Sequence, residues 1–296
     1  MPEIVKEFPT DDGIGAMLWK KIYAMSYAKQ QNKLFEDTPL KWFLIHSSDN
    51  IKSEDDPKYA EMLEKFNNVL LNPWKDIDFD SIPDKTLCPH IGLGWSHAPG
   101  IIAETDFLDY APEFNKFSDT VHNSIVIHIR RGNAVPENPR YTEDKFYFNL
   151  LKDIPKIIQD LQLDNPRVII TTDARNEEPY TPVGEKQKMF NCQPYLHKDE
   201  FGRYPTTGID IDLLKSAYPN VEIIDYLDTY DAFILMLTAK VLIVGNSAFS
   251  QSAGLLSTNM VIAMPPKEGM SHILNRFKNK VGQLNKEGRY ENSWNQ

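Results

Sequence analysis

In the second half of the chain, short β-branched runs alternate with segments whose apolar positions recur every third or fourth residue. Ile125-Val-Ile-His128, Arg167-Val-Ile-Ile-Thr-Thr-Asp173, Val221-Glu-Ile-Ile-Asp225, Val241-Leu-Ile-Val244 and Val261-Ile-Ala-Met264 predict buried strands. Between them, Phe146, Leu150, Ile154, Ile157 and Leu161 mark a helix over 143–161, and further helices are predicted over 210–216, 229–239 and 249–256. Strand and helix in alternation predict an α/β fold with a parallel sheet covered on both faces.

The first half carries a weaker pattern. Ile14, Leu18, Ile22, Met25 and Ala28 line one side of a helix, and Tyr59, Met62, Leu63, Phe66 and Leu70 line another. Lys41-Trp-Phe-Leu-Ile-His46 reads as a strand, and the Pro-rich stretch 73–99 as an irregular segment. A boundary near residue 120 gives two domains, 1–120 and 121–296. The polar tail from Asn275 onward predicts either a helix packed back on the body or a partly disordered end.

Composition narrows the function classes. A net charge of −10 and a pI near 5.2 argue against general affinity for nucleic acid or anionic lipid, so an anionic ligand needs a local arginine cluster. Cys88 and Cys192 are the only cysteines and fit no zinc spacing or disulfide framework, which suits a reducing compartment. The opening MPEIVKEFPT has no apolar signal core, and the longest apolar run, 233–245, is interrupted by Lys240. The expectation is a cytoplasmic protein without a membrane span.

His128, Asp173 and Asn246-Ser247 all fall at carboxyl ends of predicted strands, where open parallel sheets take their ligands. His128-Ile-Arg-Arg-Gly-Asn133 offers two guanidinium forks and a glycine, a combination that suits a pyrophosphate. The plain alternative is an arginine pair bonded to nearby carboxylates. Asn246-Ser-Ala-Phe-Ser-Gln-Ser252 opens a helix with hydroxyls and unsatisfied N–H groups, a phosphate site or simply a helix cap. Asp12-Gly-Ile-Gly15 stands before a helix as a short glycine loop, but it is neither GxGxxG nor GxxxxGK[ST]. The Asp-x-Asp pairs 76/78, 78/80 and 210/212 could serve Mg²⁺ or Mn²⁺; they are read as solvated carboxylates. His46, His90, His97, His122, His197 and His272 show no metal spacing. Trp95 and His97 are candidates for an acceptor-sugar surface.

In this order along the chain, the motifs resemble the GDP-fucose-dependent fucosyltransferase superfamily of GT-B fold. His128-Ile-Arg-Arg-Gly-Asn133 resembles its His-x-Arg-Arg-x-Asp signature. Ser247-Ala-Phe-Ser250 resembles its late Ser-x-Phe-Ser motif, Thr171-Thr-Asp173 its Thr-Asp element, and Asp12-Gly-Ile-Gly15 its N-terminal glycine loop.

The resemblance implies two Rossmann-like domains with parallel sheets facing across a cleft, and metal-independent transfer of a sugar from a nucleoside-diphosphate donor to a glycan hydroxyl, inverting by expectation. Arg130 would bind the donor pyrophosphate and Arg131 support the loop or the phosphates. His128 and Asp173 would lie near base or ribose, Ser247, Phe249 and Ser250 at the phosphate end, and Gly13 and Gly15 in a loop closing over the donor. Neither cofactor nor metal is implied. Asp12 and Glu137 are the candidate bases. Asn133 departs from the family's Asp, and Gln251-Ser252 replace aromatics common in α1,2 enzymes, which leaves open another donor such as UDP-xylose. A nucleotide- or glycan-binding protein without turnover is the alternative from a different class.

Overall fold

The computed structural model describes residues 2–6, 13–40, 51, 55–83, 85–87, 105–131, 134, 141–174, 208–265, 277 and 279–292. The expected strand over 41–46 lies outside them. The architecture is of the α/β class the sequence predicts, with two sheets. The smaller is entirely parallel, in the order β2-β1-β3: β1 (Glu3–Lys6), β2 (Leu34–Glu36) and β3 (Thr86–Leu87). β3 falls within the stretch expected to be irregular. A two-residue strand has no periodicity to detect.

The larger sheet is built from β4 (His122–Ile129), β5 (Arg167–Thr172), β6 (Glu222–Ile224), β7 (Ala239–Val244), β8 (Met260–Ala263), β9 (Lys280–Leu284) and β10 (Tyr290–Asn292). Its order is β10-β9-β8-β7-β4-β5-β6, parallel throughout except for the antiparallel β9–β10 pair. The chain leaves β4 toward β5 and β6, then returns to lay β7, β8 and β9 on β4's other side. That reversal is the strand order of a doubly wound dinucleotide fold, a class that takes its ligands beyond the carboxyl ends of the strands at the switch point, here between β4 and β7.

Side chains alternate across β4, and the helices sort accordingly. Ile125, Ile127 and Ile129 face α3 (Asp144–Lys152), α4 (Ile154–Asp160) and α5 (Ile211–Ala217), which contribute Leu150, Ile157 and Leu214. Val126 faces α6 (Thr229–Leu237) and α7 (Ala248–Leu256), where Phe233, Met236 and Ala253 pack. The helix expected over 143–161 is broken at Asp153. Pro155 lacks an N–H, and its ring opposes the carbonyl one turn back, so the chain restarts as α4.

α1 (Ile14–Gln30) and α2 (Pro57–Asn67) add Leu18, Ile22, Met62 and Phe66 to the same core as α6 and α7. The sequence shows α1 with one apolar side, yet it is covered almost all round, and even Lys21 is buried, paired with Asp37 at 2.7 Å. A helix wedged between layers buries every face. Asn115, which follows a 3-10 segment over Thr105–Phe114, donates to the Leu256 carbonyl at 2.8 Å. One core therefore joins residues from both halves of the chain.

The tail departs from expectation. Instead of a helix or a loose end, β9 and β10 form a hairpin that extends the sheet. Asn285 Oδ1 accepts the Glu287 and Arg289 N–H groups, and Gly288 takes a φ of +82°, open to glycine at little cost. Asp153 anchors the hairpin by accepting from Arg289 Nε at 2.8 Å and Nη2 at 2.5 Å and from the Tyr290 N–H at 2.9 Å.

Candidate functional site

β4 and β7 end together at the point where the strand order reverses. Their approach requires Gly245: a Cβ there would lie 2.8 Å from the His128 carbonyl oxygen and 3.3 Å from its Nδ1. His128 is buried on the α7 side of the sheet, its ring edge-to-face with Phe249 at 5.9 Å between centroids. Phe249 in turn packs on Phe233 at 5.4 Å.

Alternation along extended backbone sends the two arginines opposite ways. Arg130 stays partly exposed at the rim and ion-pairs with Asp173 beyond β5, while the Arg131 N–H donates to the other Asp173 oxygen at 2.6 Å. Arg131 turns under the sheet's edge toward α3 and is fully buried. Its Nη2 pairs with Asp144, Nε donates to the Gly208 carbonyl at 3.1 Å, and Nη1 donates to the Arg130 carbonyl at 3.0 Å. The Tyr141 ring covers it at 4.6 Å and Tyr147 at 5.8 Å. Asp144 completes the brace by accepting the Asp210 N–H at 2.9 Å.

Burial pushes the Tyr147 phenol up to about 12, against the opposing pull of Arg131 and of its hydrogen bond with Thr142. Thr142 Oγ1 also receives Asn246 Nδ2 at 3.4 Å, which links this brace to the end of β7. Thr142, Tyr141, Tyr147 and Asp144 escaped the sequence reading. The one available signal was an arginine doublet followed closely by two tyrosines and a helix-opening aspartate.

Across the crevice, Ser247 caps α7, its Oγ accepting the Phe249 N–H at 3.3 Å. The buried Ser250 hydroxyl braces the turn, accepting the Gly245 N–H at 3.1 Å. Both serines therefore serve the backbone, and together they aim the amino end of α7 at the crevice, where its dipole favours an anion. Gly15 is buried where α1 meets α7. A Cβ on it would overlap the Phe249 nitrogen and Cα, and Ser252 donates its hydroxyl to the Gly15 carbonyl. Gly13 precedes the helix as its N-cap, with nothing within 4 Å of a Cβ built on it.

His128, Arg130, Arg131, Asp173, Ser247, Phe249, Ser250 and Gly15 thus gather around one edge of the larger sheet. Asp12, Trp95, His97, Asn133 and Glu137 lie outside the described residues. Of the acidic pairs, Asp78 caps a short 3-10 turn, and Asp210 caps α5 while its N–H meets Asp144 beside Arg131. Among the described residues no three His, Cys, Asp or Glu side chains cluster as a metal site. Nor is any described helix long and apolar enough to cross a membrane.

No family profile matches the chain, and no curated protein matches it in sequence. Solved structures resemble it faintly. An E. coli heptosyltransferase, WaaC with ADP, aligns over 97% of this chain and 94% of its own at 11% identity, with a TM-score of 0.40. The E. coli ADP-heptose LPS heptosyltransferase II aligns over 98% and 93% at 10% identity, with a TM-score of 0.36. POFUT1 in complex with GDP aligns over 87% and 96% at 8% identity, with a TM-score of 0.34. Scores this low carry no argument, and the functional reading rests on the chain's own residues.

Proposed function

We propose that this protein is a metal-independent glycosyltransferase. It moves a sugar, fucose by family resemblance, from a nucleoside-diphosphate donor to a hydroxyl of a glycan acceptor. The reading is supported by the strand order: Arg130 follows β4 and the capped amino terminus of α7 follows β7, the two neighbouring strands at the switch point of a doubly wound sheet. Fixed positive ends suit a diphosphate, and they suit it more as negative charge grows on the leaving oxygen.

In this account Arg130 turns from Asp173 toward the diphosphate, or shares itself between them. Arg131 does not reach the ligand; it holds the loop. The acceptor hydroxyl attacks the anomeric carbon, the bond to the diphosphate oxygen breaks with its electron pair, and a carboxylate takes the hydroxyl proton. Asp12 and Glu137 are the candidate bases, Trp95 and His97 the candidate acceptor surface, and Gly13 part of the loop over the donor.

The test is a thermal-shift screen with GDP, UDP, CDP and ADP and their sugar conjugates, since a ligand of the native state raises its melting temperature. Stabilisation by a diphosphate, lost in Arg130→Ala, supports the reading. A screen without any response counts against it. A second reading, kept from the sequence, is a binding protein without turnover. It predicts stabilisation by the diphosphate with no sugar transfer or donor hydrolysis.

A further inference from the structure

Gln251 stands in the first turn of α7 and is completely buried, yet neither its amide nitrogen nor its amide oxygen has a hydrogen-bond partner among the described residues. The nearby Asn246, also buried, uses its Nδ2 on Thr142, while its Oδ1 is likewise unpartnered among them. Burying such groups unsatisfied is costly, and a sequence selected for stability alone replaces them with apolar side chains.

The neighbours of Gln251 define its direction. Ser252 binds the Gly15 carbonyl on α1, Ser250 binds Gly245, Phe249 packs on His128 and Phe233, and Gly254 rests on Phe277 and Val244. Gln251 therefore falls on the arc between the Gly254 contacts and α1. Helical side chains lean toward the amino end, so its buried carboxamide lies toward that end of α7, on the side where the phosphates would sit.

We infer that Gln251 is a donor-sugar-binding residue whose carboxamide oxygen accepts from one hydroxyl of the sugar being transferred while its NH2 donates to another. This rests on the proposed function and goes further, assigning the two ends of the donor. The nucleoside end lies toward β5, where Asp173 stands, and the sugar end lies over the first turn of α7, beside the α1 half. A carboxamide offers one donor group and one acceptor, the pattern that a pair of sugar hydroxyls meets.

The experiment compares Gln251→Met, similar in length but without the amide, with the parent protein by calorimetric titration. The probes are GDP and GDP-fucose, then UDP and UDP-xylose. The expected result is unchanged affinity for the diphosphate alone, within about two-fold. Affinity for its sugar conjugate falls about ten-fold, the loss of one or two hydrogen bonds. The unliganded variant should melt at or above the parent temperature, because an unsatisfied buried group has been removed.

Equal losses for diphosphate and conjugate, no loss for either, or a variant that melts lower or fails to fold would each overturn the inference. If the parent binds none of these four probes and no CDP or ADP conjugate stabilises it either, the proposed function falls with the inference. Parent binding with an indifferent Gln251→Met overturns the sugar assignment alone.

Discussion

Two adjacent arginines should give opposite phenotypes, and the structure sets the size of each. Arg131 is fully buried with Asp144, two carbonyls and two tyrosine rings around it. Truncation to alanine removes the ion pair of Asp144, which keeps only the Asp210 N–H, and takes away this side chain's donors to two carbonyls and its packing on two tyrosine rings. The loss should be about 3–5 kcal/mol, the range for breaking one side of a buried pair. Out of a total stability of about 5–15 kcal/mol, that is a large share. Arg130 is partly exposed, and Asp173 keeps the Arg131 N–H when it goes, so Arg130→Ala should cost at most about 1–2 kcal/mol. Urea unfolding followed by circular dichroism measures both. A cycle with Asp144→Ala should couple to Arg131 at about 2–3 kcal/mol. Diphosphate binding should show the reverse order, abolished by Arg130→Ala and largely kept by Arg131→Ala where folded protein persists. Equal stability losses, or an Arg130→Ala protein that binds nucleotide normally, would refute the division of labour.

Other outcomes follow from the packing. Gly15→Ala forces α1 away from the Phe249 backbone and should cost about 1–3 kcal/mol of overpacking, read as a lower urea midpoint; an unchanged midpoint contradicts the close approach. Tyr147 ionises near 10 when unfolded and near 12 when folded, so its contribution is complete below pH 10 and declines as pH rises from 10 to 12. Two pKa units correspond to about 2–3 kcal/mol, and Tyr147→Phe should flatten the alkaline fall in stability by that order; identical slopes contradict it. Asp153→Ala unties the β9–β10 hairpin, and amide exchange at Val281–Leu284 should quicken more than at Val241–Val244. Uniform acceleration would mean that Asp153 supports the whole fold instead.

β4 to β8 were legible because they are branched apolar runs, and placing His128, Asp173 and Ser247 at strand ends needed only that pattern. What escaped has physical reasons. β1, β2 and β3 span two to four residues, too few to display alternation. The tail hides its strands because β9 and β10 are short and mix polar with apolar residues, and the turn between them rests on Asn285 and Gly288 alone. Arg131 reads as a surface cation by type, and only the β4 register shows that its neighbour faces the crevice while it faces α3. By sequence Gln251 is only a departure from a motif; that both ends of its buried amide lack a partner among the described residues is a three-dimensional fact. The glycine loop illustrates a different limit, since Gly15 is demanded by a helix that lies more than two hundred residues away in sequence.

The most direct test of the central claim is a crystal structure of the protein grown with whichever nucleoside diphosphate stabilises it. The account predicts the phosphates between Arg130 and the first turn of α7, with Arg131 still locked against Asp144. A nucleotide bound on another edge of the sheet, with the Arg130–Asp173 pair undisturbed, would contradict it.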